Sequence, residues 1–396
     1  MSTQNPVFIP GPTNIPEELR RAIDFPTIDH RSPVFVEMLR PALDGIRRVL
    51  KTHHAETIIL PSTGTGAWEA AITNTLSPGD MVLAARHGMF SHRWIDLCNR
   101  HGLDVRVIEE EWGRGAPADM FEKALRADRT HAIRAVLVTH NETATGVRSD
   151  IAAVRRALDA ANHPALLYVD GVSSIASMDF RMDEWGVDIA ITGSQKGFML
   201  PAGLAILGIS PKAKEAMTAA RCSRCFFDFR DMLRSNENGG FPYTPPVNLI
   251  RGLDMSIRML EAEGLENVFE RHFRIAEGVR RAVAAWGFSL CAKEPRLYSD
   301  TVSAVVTPPG FEATRIVTHA ASKYGVAFGV GLGEVAGKVF RIGHLGSMTD
   351  VMALSGIATA EMVMVDLGLP IRLGAGVAAA QEHYRTSCRT VQMKAA

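Results

Sequence analysis

The first two-thirds of the chain alternates short apolar runs with longer stretches of helical spacing. Apolar runs fall at 57–60, 81–85, 104–109, 133–139, 166–169, 188–192 and 203–208. Helical patterns lie between them at 66–76, 91–101, 117–127 and 149–161, the last with Ser149 as its predicted cap. Ser77-Pro78-Gly79-Asp80 marks a turn between a helix and the next strand. Strands alternating with helices predict an α/β fold whose mainly parallel sheet is covered by helices on both faces. Ligands on such sheets sit beyond the carboxyl ends of the strands. Residues 63–66, 139–146, Asp170 and Lys196 all fall just after predicted strands, so they are expected to converge on one rim.

The pattern changes near 248. Two long helical stretches, 248–263 and 265–286, precede apolar runs at 289–291, 302–306 and 339–342 and a final helix at 351–367. This predicts a smaller α+β domain over 251–396, a large domain over 21–250, and an N-terminal segment 1–20 joining the small domain and the site. Residues 222–246, rich in Gly, Pro, Asn and Phe, read as an irregular loop.

Composition narrows the partners. Lys plus Arg equals Asp plus Glu at 43 each, which leaves no positive excess for nucleic acid or an anionic membrane. No apolar run approaches the length of a membrane span, and residues 1–6 lack a signal peptide's basic start and apolar core. Five Cys in 396 residues, a sparse and odd number, fit reduced thiols in a cytoplasm. Cys222 and Cys225 form a CxxC without a second ligand pair, and no metal site is expected there.

The chemistry rests on two charged residues. Asp170 ends one apolar run, and Lys196 follows the next, 26 positions later. Pyridoxal phosphate needs such a pair: an amine for its aldehyde and a carboxylate for its pyridinium nitrogen. Taken singly, Lys196 also fits a solvated strand edge, and Asp170 a helix cap. Ser62-Thr63-Gly64-Thr65-Gly66 opens a helix after a strand, so it fits a phosphate cradle or a plain Gly-rich turn. It lacks the Walker lysine and the dinucleotide spacing. Thr143 lies in a polar loop, where its hydroxyl fits either a donor to the cofactor's phenolic oxygen or a locally satisfied turn, and Phe90 suits either ring stacking or the core. Arg341, inside an apolar strand, needs a substrate carboxylate or an internal ion pair. Tyr243 and Thr244 sit in the irregular loop, in a rigid turn or in reach of a neighbouring subunit.

Together these motifs resemble the class V aminotransferases of fold type I, in particular their alanine/serine– and aspartate–glyoxylate group. The matching segments are FIPGPTNIP at 8–16, DHRS at 29–32, STGTG at 62–66, HNETATG at 140–146, DGVSS at 170–174, GSQK at 193–196, YTPP at 243–246 and GKVFRIG at 337–343. The resemblance implies Lys196 as the Schiff-base lysine, Asp170 as the pyridinium partner, and Val172 and Phe90 on opposite ring faces. It implies Thr63, Gly64, Thr65 and Gln195 around the phosphate, with Thr244 and Tyr243 reaching across a homodimer. Arg341 would clamp the α-carboxylate, helped by Ser174 and the backbone at Gly11. Thr65 departs from mammalian relatives, which carry His there. Gln195, where cysteine desulfurases usually carry His, and the lack of a convincing Cys loop argue against that lyase chemistry. The implied reaction is ping-pong transamination to glyoxylate, with aspartate as donor or, alternatively, serine or alanine. A donor with a second carboxylate needs a second cation, for which Arg31, His30, His92 and Arg93 are the candidates.

Overall fold

The computed structural model describes residues 5–387. In chain order its strands are β1 (Val7–Phe8), β2 (Glu56–Ser62), β3 (Met81–Arg86), β4 (Asp104–Glu109), β5 (Ile133–Thr139), β6 (Asn141–Glu142) and β7 (Val147–Arg148). They continue with β8 (Leu166–Asp170), β9 (Ile189–Gly193), β10 (Gly203–Ile209), β11 (Ser289–Leu290), β12 (Val302–Val306), β13 (Ala327–Val330) and β14 (Val339–Gly343).

Among the described residues, seven strands form the main sheet in the order β2-β10-β9-β8-β5-β3-β4. The pairs β9/β8, β8/β5, β5/β3 and β3/β4 are parallel, whereas β10 runs antiparallel to both β2 and β9. The central strands are near-continuous apolar runs because side chains on both faces are buried. Alternate residues feed two cores. Leu83, Val136, Val138, Leu167 and Val169 enter one. Val82, Ala84, Leu137, Leu166 and Tyr168 enter the other. This period of two makes the sheet the wall between two helical layers.

A second sheet has the order β1-β13-β14-β12-β11. It is antiparallel except for β1, which joins β13 in parallel with Phe8 opposite Phe328. The N-terminal strand thus pairs with a strand more than 300 residues later. Phe8, Phe328, Phe340 and Ile342 pack with Ile357 and Val363 of the helix Asp350–Asp366 in a third core.

Several local expectations are corrected. The helix Ile151–Ala160 is capped by Asp150, whose Oδ1 accepts the Ala153 N–H at 2.8 Å, rather than by Ser149. Ser149 Oγ instead accepts the Ala116 N–H at 3.1 Å. The stretch 222–246 holds a helix, Phe229–Glu237, started by Asp228 and burying Phe229 and Met232. The helix Asp350–Asp366 is followed by another, Ala375–Ser387. Among the described residues no helix is long and apolar enough to cross a membrane.

Candidate active site

Strands β8 and β9 lie side by side in parallel, with Asp170 opposite Ile191. The carboxyl ends of both strands therefore open on the same rim, and Asp170 and Lys196 are delivered there from adjacent strands. Asp170 is buried, and its Oδ1 accepts the Val172 N–H at 2.9 Å. Burial pushes its carboxyl up to about 7, and the Glu142 charge adds to the rise while Val172 N–H and Lys196 oppose it. The Trp68 indole N–H lies near enough to favour the carboxylate, yet has no partner within full hydrogen-bond geometry.

Lys196 is partly exposed as a residue, but its amine is desolvated. Burial first, and then the Arg341 charge, lower that amine to about 8. Such an amine is substantially neutral near pH 8, as a nucleophile and proton acceptor requires. Its Nζ touches the Pro10 carbonyl. The segment bearing Pro10 is pinned to the lysine turn twice, by Thr13 N–H to Gln195 O at 3.2 Å and Thr13 Oγ1 to Lys196 O at 3.3 Å. Gly11 has φ +105°, and a Cβ there would meet Lys196 Cδ at 2.5 Å, so only glycine suits this backbone ceiling.

The helix Gly64–Thr75 begins at the same rim, with extended Thr63 before it. Thr63 makes no side-chain cap, so the first N–H groups of the helix point outward without it. A Cβ at Gly64 would lie 2.5 Å from Val172 Cγ2, which shows how closely helix start and ring wall approach.

These groups line one cavity of about 260 Å³. Of the residues singled out from the sequence, Gly11, Thr63, Gly64, Thr65, Phe90, Thr143, Asp170, Val172, Gln195 and Lys196 line it. Arg341 stands behind its wall: Nη1 donates to Thr143 O at 3.0 Å and Nε to Val330 O at 2.8 Å. It is buried and held by carbonyls, and burial lowers its guanidinium to about 10. Ser174 is fully buried outside the lining, with Oγ 2.9 Å from His140 Nδ1; its neighbour Ser173 lines the cavity instead. Tyr243 and Thr244 lie away from it. Tyr243 donates to Cys225 O at 3.0 Å and stacks on Phe226, and Thr244 is exposed.

Sequence reasoning missed Trp68, Asn141 and Ser173 as lining residues. Trp68 follows Gly64 by one helical turn, and Asn141 adjoins Thr143, so helical phase and loop proximity are the signals that carried them. A wider depression of about 1040 Å³ lies between Trp286 and Pro370, but no lysine–aspartate pair converges there. Convergent charge, rather than volume, selects the smaller cavity. Among the described residues no cluster of three or more His, Cys, Asp or Glu could hold a metal ion.

Residues 27–336 match the family described as aminotransferase class-V. The chain belongs to the class V aminotransferases. It is 71% identical over 396 residues, with 100% of both chains covered, to the L-aspartate–glyoxylate aminotransferase of Paracoccus denitrificans. It is 53% identical over 380 residues to the serine–glyoxylate aminotransferase of Hyphomicrobium methylovorum, covering 96% of this chain and 94% of that one. Pyridoxamine–pyruvate aminotransferase from Mesorhizobium loti shares the fold at a TM-score of 0.90 and 28% identity, over 97% of this chain and 98% of that one.

The cofactor of this aminotransferase is pyridoxal phosphate, and the cavity fits it. Gln195 Oε1 and Trp68 Nε1 are buried polar atoms without a protein partner, and both residues line the cavity. A Cβ built on Gly193 would lie 3.0 Å from Gln195 Oε1 and 3.5 Å from Gly64 N, so the amide sits beside the helix start. A phosphate at the start of this helix would accept from the first helix N–H groups and from the Gln195 amide nitrogen, not from its oxygen.

Proposed function

We propose that this aminotransferase moves the amino group of L-aspartate to glyoxylate, giving oxaloacetate and glycine. What carries the reading is Lys196 and Asp170 on one cavity, in a chain so similar along its whole length to an aspartate–glyoxylate enzyme. Serine as donor is the second reading, supported by the 53% identical serine–glyoxylate relative. A desulfurase would need a thiol at the site, and none of the described cysteines lines the cavity.

In this reading Thr63, Gly64, Thr65 and Gln195 would hold the phosphate, Val172 and Phe90 would pack on the ring, and Thr143 would donate to its phenolic oxygen. The bound cofactor supplies an electron sink for charge developing at the donor's α-carbon. Asp170 would hold its carboxylate against the ring nitrogen. Lys196 Nζ takes the proton from the donor's α-carbon and holds it until it is returned. Arg341 orients the α-carboxylate, its guanidinium already fixed by Thr143 O and Val330 O. The Pro10–Gly11 backbone limits water above the amine.

We also divide the chain into an N-terminal segment 1–20, a large domain 21–250 and a small domain 251–396, supported by the two sheets. A homodimer, in which the loop bearing Tyr243 and Thr244 reaches the partner's site, belongs to the same proposal, as does a cytoplasmic setting. Initial rates with aspartate, serine and alanine at constant glyoxylate test the donor. The highest kcat/KM is expected for aspartate. A faster serine reaction would reverse the donor assignment, and no turnover with any of the three would remove glyoxylate transfer altogether.

A further inference from the structure

A donor with two carboxylates brings two negative charges into a cavity poor in water, and each needs a cationic partner. Arg341 can serve one. Two of its nitrogens are already committed to carbonyls, which leaves the remaining edge of the fork for a single carboxylate. The Lys196 amine is needed for proton transfer. A second cation must therefore come from elsewhere.

The structure separates the candidates. His30, Arg31, His92 and Arg93 all stand outside the cavity lining. Arg93 alone is tied to a lining residue by a ring contact. It lies one turn beyond Phe90 on the helix Met89–Arg100, and its guanidinium carbon stands 5.4 Å from the centre of the Phe90 ring. Phe90 itself lines the cavity. Arg93 is exposed and makes no ion pair among the described residues. The nearby carboxylate of Glu142 is occupied by the N–H groups of Phe90, Ser91 and Ala144.

Arg93 is also close enough to Arg341 for its charge to help lower that guanidinium. Two like charges near one cavity repel, and an anionic group received between them relieves the repulsion. A monocarboxylate engages one of the two; a dicarboxylate engages both.

We infer that Arg93 binds the side-chain carboxylate of the donor and makes the site selective for a dicarboxylic amino acid. The inference rests on the aspartate reading above. Its test uses the holoenzyme and its Arg93→Gln and Arg93→Lys variants. The ratio of kcat/KM for aspartate to that for serine should fall about 30-fold or more in Arg93→Gln, the loss of a charge-assisted pair. Arg93→Lys should recover part of it. Calorimetric binding of succinate and propionate gives a second readout: the preference for succinate should fall at least tenfold in Arg93→Gln. Aspartate and serine falling together, with the succinate preference retained, would show that Arg93 only supports Phe90 and would overturn the inference. Wild-type enzyme that transfers nothing from aspartate would instead defeat the donor reading, and the selectivity role with it.

Discussion

Glu142 Oε2 accepts the backbone N–H of Phe90 at 3.0 Å, so a buried carboxylate on β6 sets the height of a ring that lines the cavity. The same oxygen takes the Ser91 N–H at 3.0 Å, and Oε1 takes that of Ala144 at 3.1 Å. A negative charge at a helix start is favoured by the helix dipole, which offsets part of the burial cost that raises this carboxyl.

Replacing Glu142 by Gln keeps the volume but turns one acceptor into a donor. Glu142→Gln should cost about 1–3 kcal/mol, and Glu142→Ala more, since buried N–H groups lose their acceptor. Urea unfolding of the cofactor-free protein measures this, and unchanged midpoints would show that the cap contributes nothing.

Asp170 predicts a pH dependence. Its carboxyl, ordinarily at 3.8, is pushed up to about 7 by burial. The folded state therefore binds this proton more tightly than the unfolded state. The stabilisation is complete below the unfolded value and is lost as pH rises from 3.8 through about 7. Cofactor-free Asp170→Asn, which stays neutral, should gain stability relative to wild type between pH 5 and pH 8. Urea midpoints at the two pH values check the sign, and an equal difference at both would contradict it.

Lys196→Ala should lower kcat by about 10³-fold or more, the scale of a lost general base. Borohydride trapping followed by peptide mass mapping of the wild type should place the cofactor label at position 196. A label on another lysine would refute the assignment.

Gly64→Ala should weaken cofactor binding at least tenfold, because the new Cβ would press on Val172 Cγ2 from 2.5 Å. Fluorescence titration with pyridoxal phosphate measures it. Thermal unfolding of the cofactor-free variant separates loss of the cradle from loss of the fold.

Arg341→Lys should reduce kcat/KM about 100-fold for aspartate, serine and alanine alike, since a lysine cannot form the planar fork. The shared loss distinguishes an α-carboxylate contact from the selective effect expected at Arg93. A loss confined to aspartate would exchange the two roles.

The rim was legible in sequence because parallel strands expose their carboxyl ends together, which put Asp170 and Lys196 side by side. Arg341 was legible as a buried cation, but its partners were not: carbonyls of Thr143 and Val330 hold it, and main-chain acceptors leave no mark in composition. The choice between Ser173 and Ser174 depends on the turn after Asp170, where only Ser173 lines the cavity. The helix Phe229–Glu237 was hidden because it is short and flanked by Gly- and Pro-rich sequence. The helix Pro33–Leu50 carries Pro41 in its interior, a residue that reads as a breaker until the packing around it is known.

One strand near the N-terminus has a mechanical consequence. Val7–Phe8 is stitched to the smaller sheet, while Pro10, two residues on, touches an amine rooted in the larger one. Any tilt of the smaller sheet would drag this short tether across the reactive nitrogen. Admission of a substrate and exposure of the amine would then be a single movement, with residues 7–10 as its linkage.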